Sequence, residues 1–511
     1  MESNIWKKNL YQLFSENFPE KDHIFIQSTG GQSINYRELE KFTAQFSNAL
    51  VNKGVKQGDR VLVQTKKSPE VVILYLACLR VGAIFVPLNT GYTESELTYF
   101  LDDAKPRLVV CDPNSNISNL DFQSEFSSIS LETLGAHRSG TFIKLAERQS
   151  EEYITFESDG NDIACILYTS GTTGKPKGAM LSHANLGSNA CTLKKEWGFN
   201  PEDILLHALP VFHAHGLFVA INTVLVNGTG MVFLPTFDVH EVIREMPRVT
   251  VMMGVPTFYT RLLEEDLFTD DSTKNIRLFI SGSAPLLAET HNEFYDRVGH
   301  SILERYGMTE TAMNTSNPLN GDRIPGSVGL ALPGIDVRIV TDGKELDIGG
   351  TGNIEVRGPN VFSGYWRNPE KTAQEFCDDG YFRTGDIGYK DKNGYIFIVG
   401  RAKDLIISGG YNVYPKEVEV CLDEFNGIRE SAVIGVPHKD FGEGVVAVVT
   451  SDNGKETFNS KKIISKLKEE LAAYKVPKAI YLVDEIPRNV MGKVEKNKLR
   501  DIYKDIFLKD T

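Results

Sequence analysis

The sequence predicts an α/β protein with a large N-terminal domain and a small, mobile α+β C-terminal domain. Helical and strand signals alternate over residues 36–105 and again from about 183 to 330, which is typical of βαβ units with parallel strands. After Pro333 the pattern changes to short strands with glycine-rich turns, which indicates a β-rich subdomain up to about residue 400. The stretch 402–511 has its own strand and helix signals and is long enough for a separate domain. We therefore expect two domains, 1–401 and 402–511.

The individual elements follow from the period of the apolar residues. In the first half of the chain we predict an amphipathic helix over 36–53, a strand over 59–64, an apolar helix over 69–81, a strand over 83–87 and a buried strand over 162–168. Residues 112–160 are weakly patterned and are expected to form a variable surface region. In the second half we predict strands over 249–254, 277–281, 431–436 and 444–450, and a helix over about 460–474.

Composition limits the class of protein. The chain has 511 residues, of which 41% are hydrophobic and 24% charged, as in soluble globular proteins. Its formal net charge of -13 argues against a general nucleic-acid binder, because neutralising phosphates requires clustered Lys and Arg. Six scattered cysteines without a Cys-x-x-Cys pair favour reduced thiols, and the N-terminal residues lack the apolar core of a signal peptide. No apolar run approaches the roughly 20 residues of a membrane span. We expect a cytoplasmic protein without membrane or nucleic-acid partners.

The most informative motif is Tyr-Thr-Ser-Gly-Thr-Thr-Gly-Lys-Pro-Lys-Gly at 168–178. Glycines let backbone N–H groups approach and wrap a phosphate, while the hydroxyls add donors and Lys175 and Lys177 add positive charge. The spacing differs from a Walker A loop, since only two residues separate Gly171 from Gly174. The alternative is a surface linker. The strand predicted over 162–168 favours the phosphate-binding interpretation, because α/β folds bind nucleotides at strand ends.

This motif resembles the phosphate-binding signature of the adenylate-forming enzymes, which include acyl-CoA synthetases, luciferases and nonribosomal adenylation domains. The resemblance extends over nearly the whole chain, with the later motifs in the same order. It implies ATP, Mg²⁺ and the co-substrate CoA. The residues that it assigns to ATP in this loop are Thr169, Ser170, Gly171, Thr172, Thr173, Gly174 and Lys177.

Two further motifs match the N-terminal part of the family pattern. The small-residue turn 281–286 is either tight packing or, as the resemblance implies, the surface against adenine and the acyl group, with ATP contacts from Gly282, Ser283 and Ala284. In Glu-Arg-Tyr-Gly-Met-Thr-Glu-Thr at 304–311, the resemblance implies adenine packing by Tyr306, catalytic roles for Thr309 and Glu310, and Mg²⁺ held by Glu310 and Thr169. Glu304, Gly307, Met308 and Thr309 complete the implied ATP contacts. The alternative for this motif is a helix start with Thr309 as the N-cap.

The C-terminal motifs concern ribose, domain rotation and catalysis. The resemblance assigns Asp386 and Arg401 to the ribose hydroxyls and Lys403 to the hinge about which the C-terminal domain rotates. It assigns Gly409, Gly410 and Tyr411 to the CoA arm, although this block equally fits a strand and turn. A lysine near the C-terminus is normally a solvated charge. Within Pro-Arg-Asn-Val-Met-Gly-Lys-Val at 487–494, however, Lys493 matches the catalytic lysine, which contacts ATP and stabilises the charge that builds up during carboxylate attack.

Two polar features interrupt the apolar tunnel expected of a fatty-acyl ligase. Arg305 lies next to the purine-stacking Tyr306 and can bind a carboxylate with two hydrogen bonds. His207 is expected to add a second donor, and Ala214 to keep the acyl pocket short. The alternative for Arg305 is a pair with a protein carboxylate. The alternative for the histidines at 207, 213 and 215 is a metal site, with both rings of His-x-His on one strand face.

Within the family, these features most resemble the ligases that activate malonate. The expected reaction converts malonate, ATP and CoA to malonyl-CoA, AMP and pyrophosphate through a malonyl-adenylate. Two alternatives stay open: a ligase for medium-chain or other monocarboxylic acids, and a stand-alone adenylation enzyme that loads a carrier protein in trans. A noncatalytic binding protein is a third class, which the matching Lys493 argues against.

Overall fold

The computed structural model describes residues 6–115, 117, 126–169, 176–408, 411–439, 441–451, 458–489 and 492–507. Its described residues divide into two compact units. The first comprises 1–337 and 356–382, and the second 338–355 and 383–511. The α/β class with a large N-terminal and a smaller C-terminal part is confirmed. The compact units do not divide at the predicted boundary between 401 and 402, which stays a prediction because it concerns a hinge rather than compactness.

The strands of the described residues are β1 (Ile24–Ser28), β2 (Ser33–Asn35), β3 (Arg60–Gln64), β4 (Ile84–Pro87), β5 (Leu108–Cys111), β6 (Ser130–Thr133), β7 (Ile163–Thr169), β8 (Lys177–Ser182), β9 (Ile204–His207), β10 (Gly230–Phe233), β11 (Val251–Gly254), β12 (Leu278–Ser281), β13 (Leu303–Met308), β14 (Ala312–Ser316), β15 (Leu330–Ala331), β16 (Asp336–Thr341), β17 (Lys344–Glu345), β18 (Gly352–Arg357), β19 (Phe382–Lys390), β20 (Ile396–Arg401), β21 (Ile406–Ser408), β22 (Tyr411–Val413), β23 (Glu430–His438), β24 (Gly442–Thr450) and β25 (Ala479–Leu482).

The α-helices are α1 (Leu10–Ser15), α2 (Tyr36–Asn52), α3 (Pro69–Val81), α4 (Glu94–Ala104), α5 (Thr141–Ala146), α6 (His183–Glu196), α7 (Asn222–Asn227), α8 (Val239–Glu245), α9 (Pro256–Leu263), α10 (Asp270–Thr273), α11 (Ala288–Val298), α12 (Pro369–Glu375), α13 (Pro415–Asp423), α14 (Ser460–Glu470) and α15 (Lys496–Tyr503). A π-helix spans His215–Ile221, and 3₁₀ turns span Met246–Arg248 and Ala402–Asp404. None of the helices in the described residues is both long and apolar enough to cross a bilayer.

Two mixed sheets organise the first unit. One has the order β6-β5-β3-β4-β7-β8, with parallel neighbours except for the antiparallel pair β7–β8. The other has the order β15-β14-β13-β12-β11-β9-β10-β1-β2, and it is parallel from β1 through β13. Because β9, β12 and β13 run parallel, their carboxyl ends lie at one edge of the sheet, where α/β folds bind ligands. The predicted parallel βαβ units are confirmed.

Local sequence explains why the elements of the first unit form where they do. Helix α2 begins at a capping box in which the Asn35 side chain and Glu38 bond reciprocally. Helix α3 begins with Pro69 and ends at Gly82, which has a left-handed conformation. The stretch 112–160, weakly patterned in sequence, contains β6 and α5 among its described residues.

The second unit contains two sheets. The first has the order β17-β16-β18-β19-β20, and the second is β22-β21-β24-β23 with β25 parallel to β24. The second sheet buries an apolar core with α13 and α14, which includes Val433, Val445, Ala447 and Leu467. The helix predicted over 460–474 ends at Glu470.

Candidate functional site

The phosphate-binding motif connects the antiparallel strands β7 and β8. Thr169 is the last residue of β7 and Lys177 the first of β8, and their Cα atoms are partners in the ladder. The predicted residues Ser170, Gly171, Thr172, Thr173 and Gly174 lie outside the described residues. The hairpin therefore fixes both ends of the motif and presents one hydroxyl and one ammonium group beside it.

The segment 304–311 is a strand and turn rather than the start of a helix. Strand β13 pairs with β14 across a turn, so the alternative in which Thr309 caps a helix is wrong. A Cβ atom at Gly307 would lie 1.8 Å from the carbonyl oxygen of Ala312, so only glycine fits this close approach of the two strands. The turn carries Thr309 and Glu310, and Tyr306 is buried on β13.

The turn between β13 and β14 brings Glu310 to the end of β7. The hydroxyl of Thr169 lies 3.5 Å from Oε1 of Glu310, and that carboxylate is buried. A hydroxyl and one carboxylate suit Mg²⁺, which takes oxygen ligands and is usually bound by one or two carboxylates together with substrate phosphates. Thr169 and Glu310 thus fit the metal role that the resemblance implies, in which the ion would neutralise phosphate charge.

Arg305 and Gly282 meet at the edge of the nine-stranded sheet. Gly282 directly follows β12, which is parallel to β13, and Arg305 lies on β13. A Cβ atom at position 282 would lie 2.3 Å from Cζ of Arg305 and 2.6 Å from Nε. The absence of a side chain at Gly282 therefore makes room for the guanidinium group.

The guanidinium of Arg305 is buried and only partly satisfied. Its side chain is 3% exposed, and Nε and Nη2 have no hydrogen-bond partner among the described residues. Burial lowers the pKa of Arg305 to about 9, against the opposing effect of Tyr259 and Glu304. The group is therefore still charged at neutral pH. The neighbouring Glu304 accepts a hydrogen bond from the backbone N–H of Leu286 at 3.1 Å. The described contacts therefore do not favour the alternative in which Arg305 pairs directly with a protein carboxylate.

His207, at the carboxyl end of β9, has a defined tautomer. Its Nε2 lies 2.8 Å from the carbonyl oxygen of Gly216, and its ring stacks on Phe233 with centroids 5.2 Å apart. Because a carbonyl oxygen only accepts, Nε2 carries the proton. Burial, followed by the charge of Lys67, lowers the pKa of His207 well below its usual value, so the ring is neutral. Nδ1 is then a buried acceptor without a hydrogen-bond partner among the described residues, and the donor role toward the substrate that the sequence suggests for His207 stays a prediction.

The other two histidines do not lie on a strand. His215 begins the π-helix, preceded by the buried Ala214. The expected placement of both His-x-His rings on one strand face is therefore wrong. Nδ1 of His215 lies 3.2 Å from Oγ of Ser283, which has a left-handed backbone with φ of 72°. Within the described parts of the chain, no group of three or more His, Cys, Asp and Glu side chains is arranged to hold a metal.

In the second unit, the two predicted ribose residues bind each other. Asp386 and Arg401 are partners across the antiparallel strands β19 and β20. Nε of Arg401 lies 2.6 Å from Oδ1 of the buried Asp386 carboxylate. Within β19, Thr384 donates to the carbonyl oxygen of Ile354 at 2.8 Å and accepts from the backbone N–H of Asp386 at 3.1 Å, which restrains the main chain at Asp386.

The remaining predicted residues of the second unit are mostly exposed. Lys403 lies in the 3₁₀ turn Ala402–Asp404, whose Asp404 pairs with Arg500 at 2.6 Å. Tyr411 stacks on Tyr474 with centroids 4.8 Å apart, while Gly409 and Gly410 lie outside the described residues. Lys493 is exposed. Its backbone N–H donates to Oδ1 of Asn489 at 3.1 Å, and its carbonyl oxygen accepts from the backbone N–H of Asn489 at 2.9 Å.

Comparison with known proteins assigns the chain to a family. Residues 12–366 match the AMP-binding enzyme family, and residues 417–493 match the AMP-binding enzyme C-terminal domain. The chain belongs to the AMP-binding enzyme family.

Other members are similar over almost their full length. The crystal structure of ATP-bound MatB from Rhodopseudomonas palustris is 52% identical, has a TM-score of 0.95, and covers 98% of this chain and 99% of that chain. A malonate–CoA ligase of Arabidopsis thaliana is 34% identical over 95% of this chain and 87% of its own length. A feruloyl-CoA synthase of Amycolatopsis is also 34% identical, over 94% of this chain and 96% of its own length. Sequence identity to these two curated relatives therefore does not distinguish which carboxylic acid this chain activates. The residues of the acyl pocket are needed for that choice.

Two residues of this AMP-binding enzyme were not found from the sequence. Tyr365 donates a hydrogen bond of 3.0 Å to Oε1 of Glu310. The Lys67 ammonium donates to the carbonyl oxygen of His207 at 2.8 Å and lies 4.3 Å from the centroid of the Phe233 ring. Neither has a local sequence signal, because both act on residues more than 50 positions away.

Proposed function

We propose that this AMP-binding enzyme is an ATP-dependent ligase that converts malonate and CoA to malonyl-CoA. In the first half-reaction, one carboxylate of malonate attacks the α-phosphorus of ATP, forming malonyl-adenylate and releasing pyrophosphate. In the second, the CoA sulfur attacks the acyl carbon and AMP leaves. The observation that carries the choice of acid is the pair of unsatisfied donors, Nε and Nη2, on the buried Arg305.

These two nitrogens are the adjacent donors of one side of a guanidinium group. They can bind both oxygens of a carboxylate in parallel, which is the strong, bidentate arrangement. Leaving a buried charge unpaired costs free energy, and a bound carboxylate offsets that cost. A monocarboxylic acid has a single carboxylate, which the adenylation chemistry uses. A short dicarboxylate supplies a second one for Arg305.

The surroundings of Arg305 support a short acid. Gly282 has no side chain, and Ala214 has only a methyl group, so we propose that Ala214 limits the length of the pocket. His207 is assigned to the substrate as well, but with an acceptor at Nδ1. Recognition of the negative charge then falls on Arg305, and we propose that His207 contributes to the shape of the pocket.

The nucleotide roles follow the family pattern. We propose that the residues of the loop 169–177, together with Tyr306 and Thr309, bind ATP, and that Glu310 and Thr169 hold its Mg²⁺. Asp386 and Arg401 would hold the ribose as a preformed pair. We propose Lys493 as the catalytic lysine of adenylation and Lys403 as the hinge of a domain rotation that admits CoA, with Tyr411 near its arm.

The test is AMP release with ATP, Mg²⁺ and CoA across malonate, methylmalonate, acetate, succinate and octanoate. Preference for malonate supports the proposal, and preference for acetate or octanoate replaces it with a monocarboxylate ligase. Adenylation of malonate without transfer to free CoA would instead indicate a carrier protein as acceptor. Arg305→Leu, which removes the charge at similar bulk, should lose malonate activity selectively.

For location we propose a reducing compartment, the cytoplasm. All six cysteines are free, and Cys78, Cys111 and Cys165 are buried. Burial raises the pKa of Cys111 to about 11, which keeps that thiol protonated and unreactive. Imaging of the tagged full-length chain in its own cells tests this, and an organellar signal would contradict it.

A further inference from the structure

The segment 362–366 is fixed against the strand that leaves the phosphate-binding motif. Tyr365 forms an antiparallel bridge with Ala179 of β8. The backbone N–H of Trp366 donates to the carbonyl oxygen of Gly178 at 2.7 Å, and that of Met180 donates to Gly364 at 2.9 Å. The position of Tyr365 therefore follows the position of the hairpin β7–β8.

From this position Tyr365 reaches Glu310. Its hydroxyl donates to Oε1 of Glu310 at 3.0 Å, a better distance than the 3.5 Å from the Thr169 hydroxyl to the same oxygen. The backbone N–H of Phe362 also donates to the carbonyl oxygen of Glu310 at 2.8 Å. One short segment thus restrains both the main chain and the carboxylate of Glu310.

The direction of this hydrogen bond is fixed by chemistry, because an ionised carboxylate only accepts and the Tyr365 hydroxyl therefore donates. The side chains of Tyr365 and Glu310 are both buried, with 6% exposed in each. The ring also packs edge-on against Phe362, with centroids 4.9 Å apart, so the direction of the hydroxyl is set by packing.

We propose that Tyr365 is a positioning residue that orients the Glu310 carboxylate toward the Mg²⁺ of bound ATP. This rests on the proposed metal role of Glu310. A carboxylate that is free to rotate loses conformational entropy when it binds an ion, whereas Tyr365 has already restricted its orientation. Outer partners of this kind change metal affinity by about 10–100-fold when they are removed.

The experiment titrates Mn²⁺ into the enzyme saturated with a non-hydrolysable ATP analogue. Binding is monitored by the electron paramagnetic resonance signal of Mn²⁺. Tyr365→Phe removes the hydroxyl and retains the ring. We expect it to weaken Mn²⁺ binding about 10–100-fold, with unchanged affinity for the analogue when no metal is present.

The matched control is Tyr36→Phe. The hydroxyl of Tyr36 is buried and donates to the carbonyl oxygen of Thr229 at 2.7 Å, with no contact to Glu310. The Tyr36→Phe variant should bind Mn²⁺ with the same affinity as the wild type. If Tyr365→Phe is poorly folded, Tyr365→Met supplies the same measurement without the hydroxyl.

Glu310→Gln separates the two hypotheses. Wild-type Mn²⁺ affinity in Tyr365→Phe together with weakened affinity in Glu310→Gln would overturn the role of Tyr365 and leave the metal role of Glu310 intact. Wild-type affinity in Glu310→Gln would overturn the metal role and, with it, this inference. Equal weakening in Tyr365→Phe and Tyr36→Phe would also overturn it, because a general loss of stability would then explain the effect.

Discussion

The guanidinium group of Arg305 occupies the space that a side chain at Gly282 would fill, because a Cβ atom at position 282 would lie 2.3 Å from Cζ of Arg305. The two residues are on neighbouring parallel strands or their immediate ends, so this relation is set by the sheet. The guanidinium is the flexible end of its side chain. A larger residue at position 282 would therefore displace the guanidinium rather than the backbone.

Gly282→Ala should selectively impair the use of malonate. Displacing Arg305 removes a charge-assisted interaction of about 1.5–3 kcal/mol, which corresponds to roughly a 10–100-fold fall in kcat/KM. Steady-state kinetics with malonate and with ATP varied separately measure this, and the KM for malonate should rise more than the KM for ATP.

The control for this variant is Gly91→Ala. Gly91 is exposed, and its added Cβ atom would meet only Oδ1 of Asn89, at an ordinary 3.5 Å. It should leave both KM values unchanged. Wild-type kcat/KM for malonate in Gly282→Ala would show that the position of the guanidinium does not select the acid.

The tautomer of His207 predicts unequal effects of two amide substitutions. In His207→Gln the amide nitrogen can replace Nε2 and donate to the carbonyl oxygen of Gly216, whereas in His207→Asn the shorter side chain reaches only the position of Nδ1. The unsatisfied carbonyl should make the Asn variant less stable than the Gln variant by about 1–3 kcal/mol. Urea unfolding compares them, and equal stability would refute the assigned tautomer.

Acid should destabilise the protein through His183. Its Nδ1 accepts a hydrogen bond from the backbone N–H of Leu10 at 3.0 Å, and burial lowers its pKa from 6.5 to about 4. Between these pH values the unfolded state binds a proton that the folded state does not, so stability falls as pH decreases through 6.5. At pH 5.5 this single residue should remove about 1.4 kcal/mol relative to neutral pH.

His183→Asn isolates this contribution. The amide oxygen can accept from Leu10 but does not titrate, so the difference in unfolding free energy between pH 7.5 and 5.5 should shrink by about 1.4 kcal/mol. An unchanged difference in His183→Asn would mean that His183 is not held neutral.

The sequence predicts well what depends on local pattern and less well what depends on contacts across the sheet. Pro69 and Gly82 in the sequence predict the two ends of helix α3 at 69–81, and the structure has the same bounds. Arg305 was singled out from its place beside Tyr306. Its relation to Gly282, however, depends on the register of β12 with β13, which periodicity does not specify.

The errors have the same physical origin. The tautomer of His207 is not predictable from the sequence, because the partner of Nε2, the Gly216 carbonyl, belongs to a π-helix with no sequence signal. The local preference of Thr309 for a helix N-cap is overridden by the pairing of β13 with β14. Tyr365 reaches Glu310 from 55 positions away through its bridge to β8.

Lys493 should be required for adenylation but not for thioester formation. It lies in a hairpin of the second unit, where Arg488 and Val494 form a bridge and the backbone N–H of Glu495 donates to Pro487 at 2.8 Å. Lys493→Ala removes the charge beyond Cβ and leaves these backbone contacts in place. Removing one group that stabilises transition-state charge typically costs about 100–1,000-fold in rate.

The two half-reactions separate that role from a loss of folding. Pyrophosphate release from ATP and malonate should fall about 100–1,000-fold in Lys493→Ala, whereas synthetic malonyl-adenylate and CoA should still give malonyl-CoA at close to the wild-type rate. Lys498→Ala is the control, because Lys498 is an exposed lysine nearby that pairs with Glu495. Equal loss of both half-reactions would indicate a structural role, and unchanged pyrophosphate release would remove Lys493 from the mechanism.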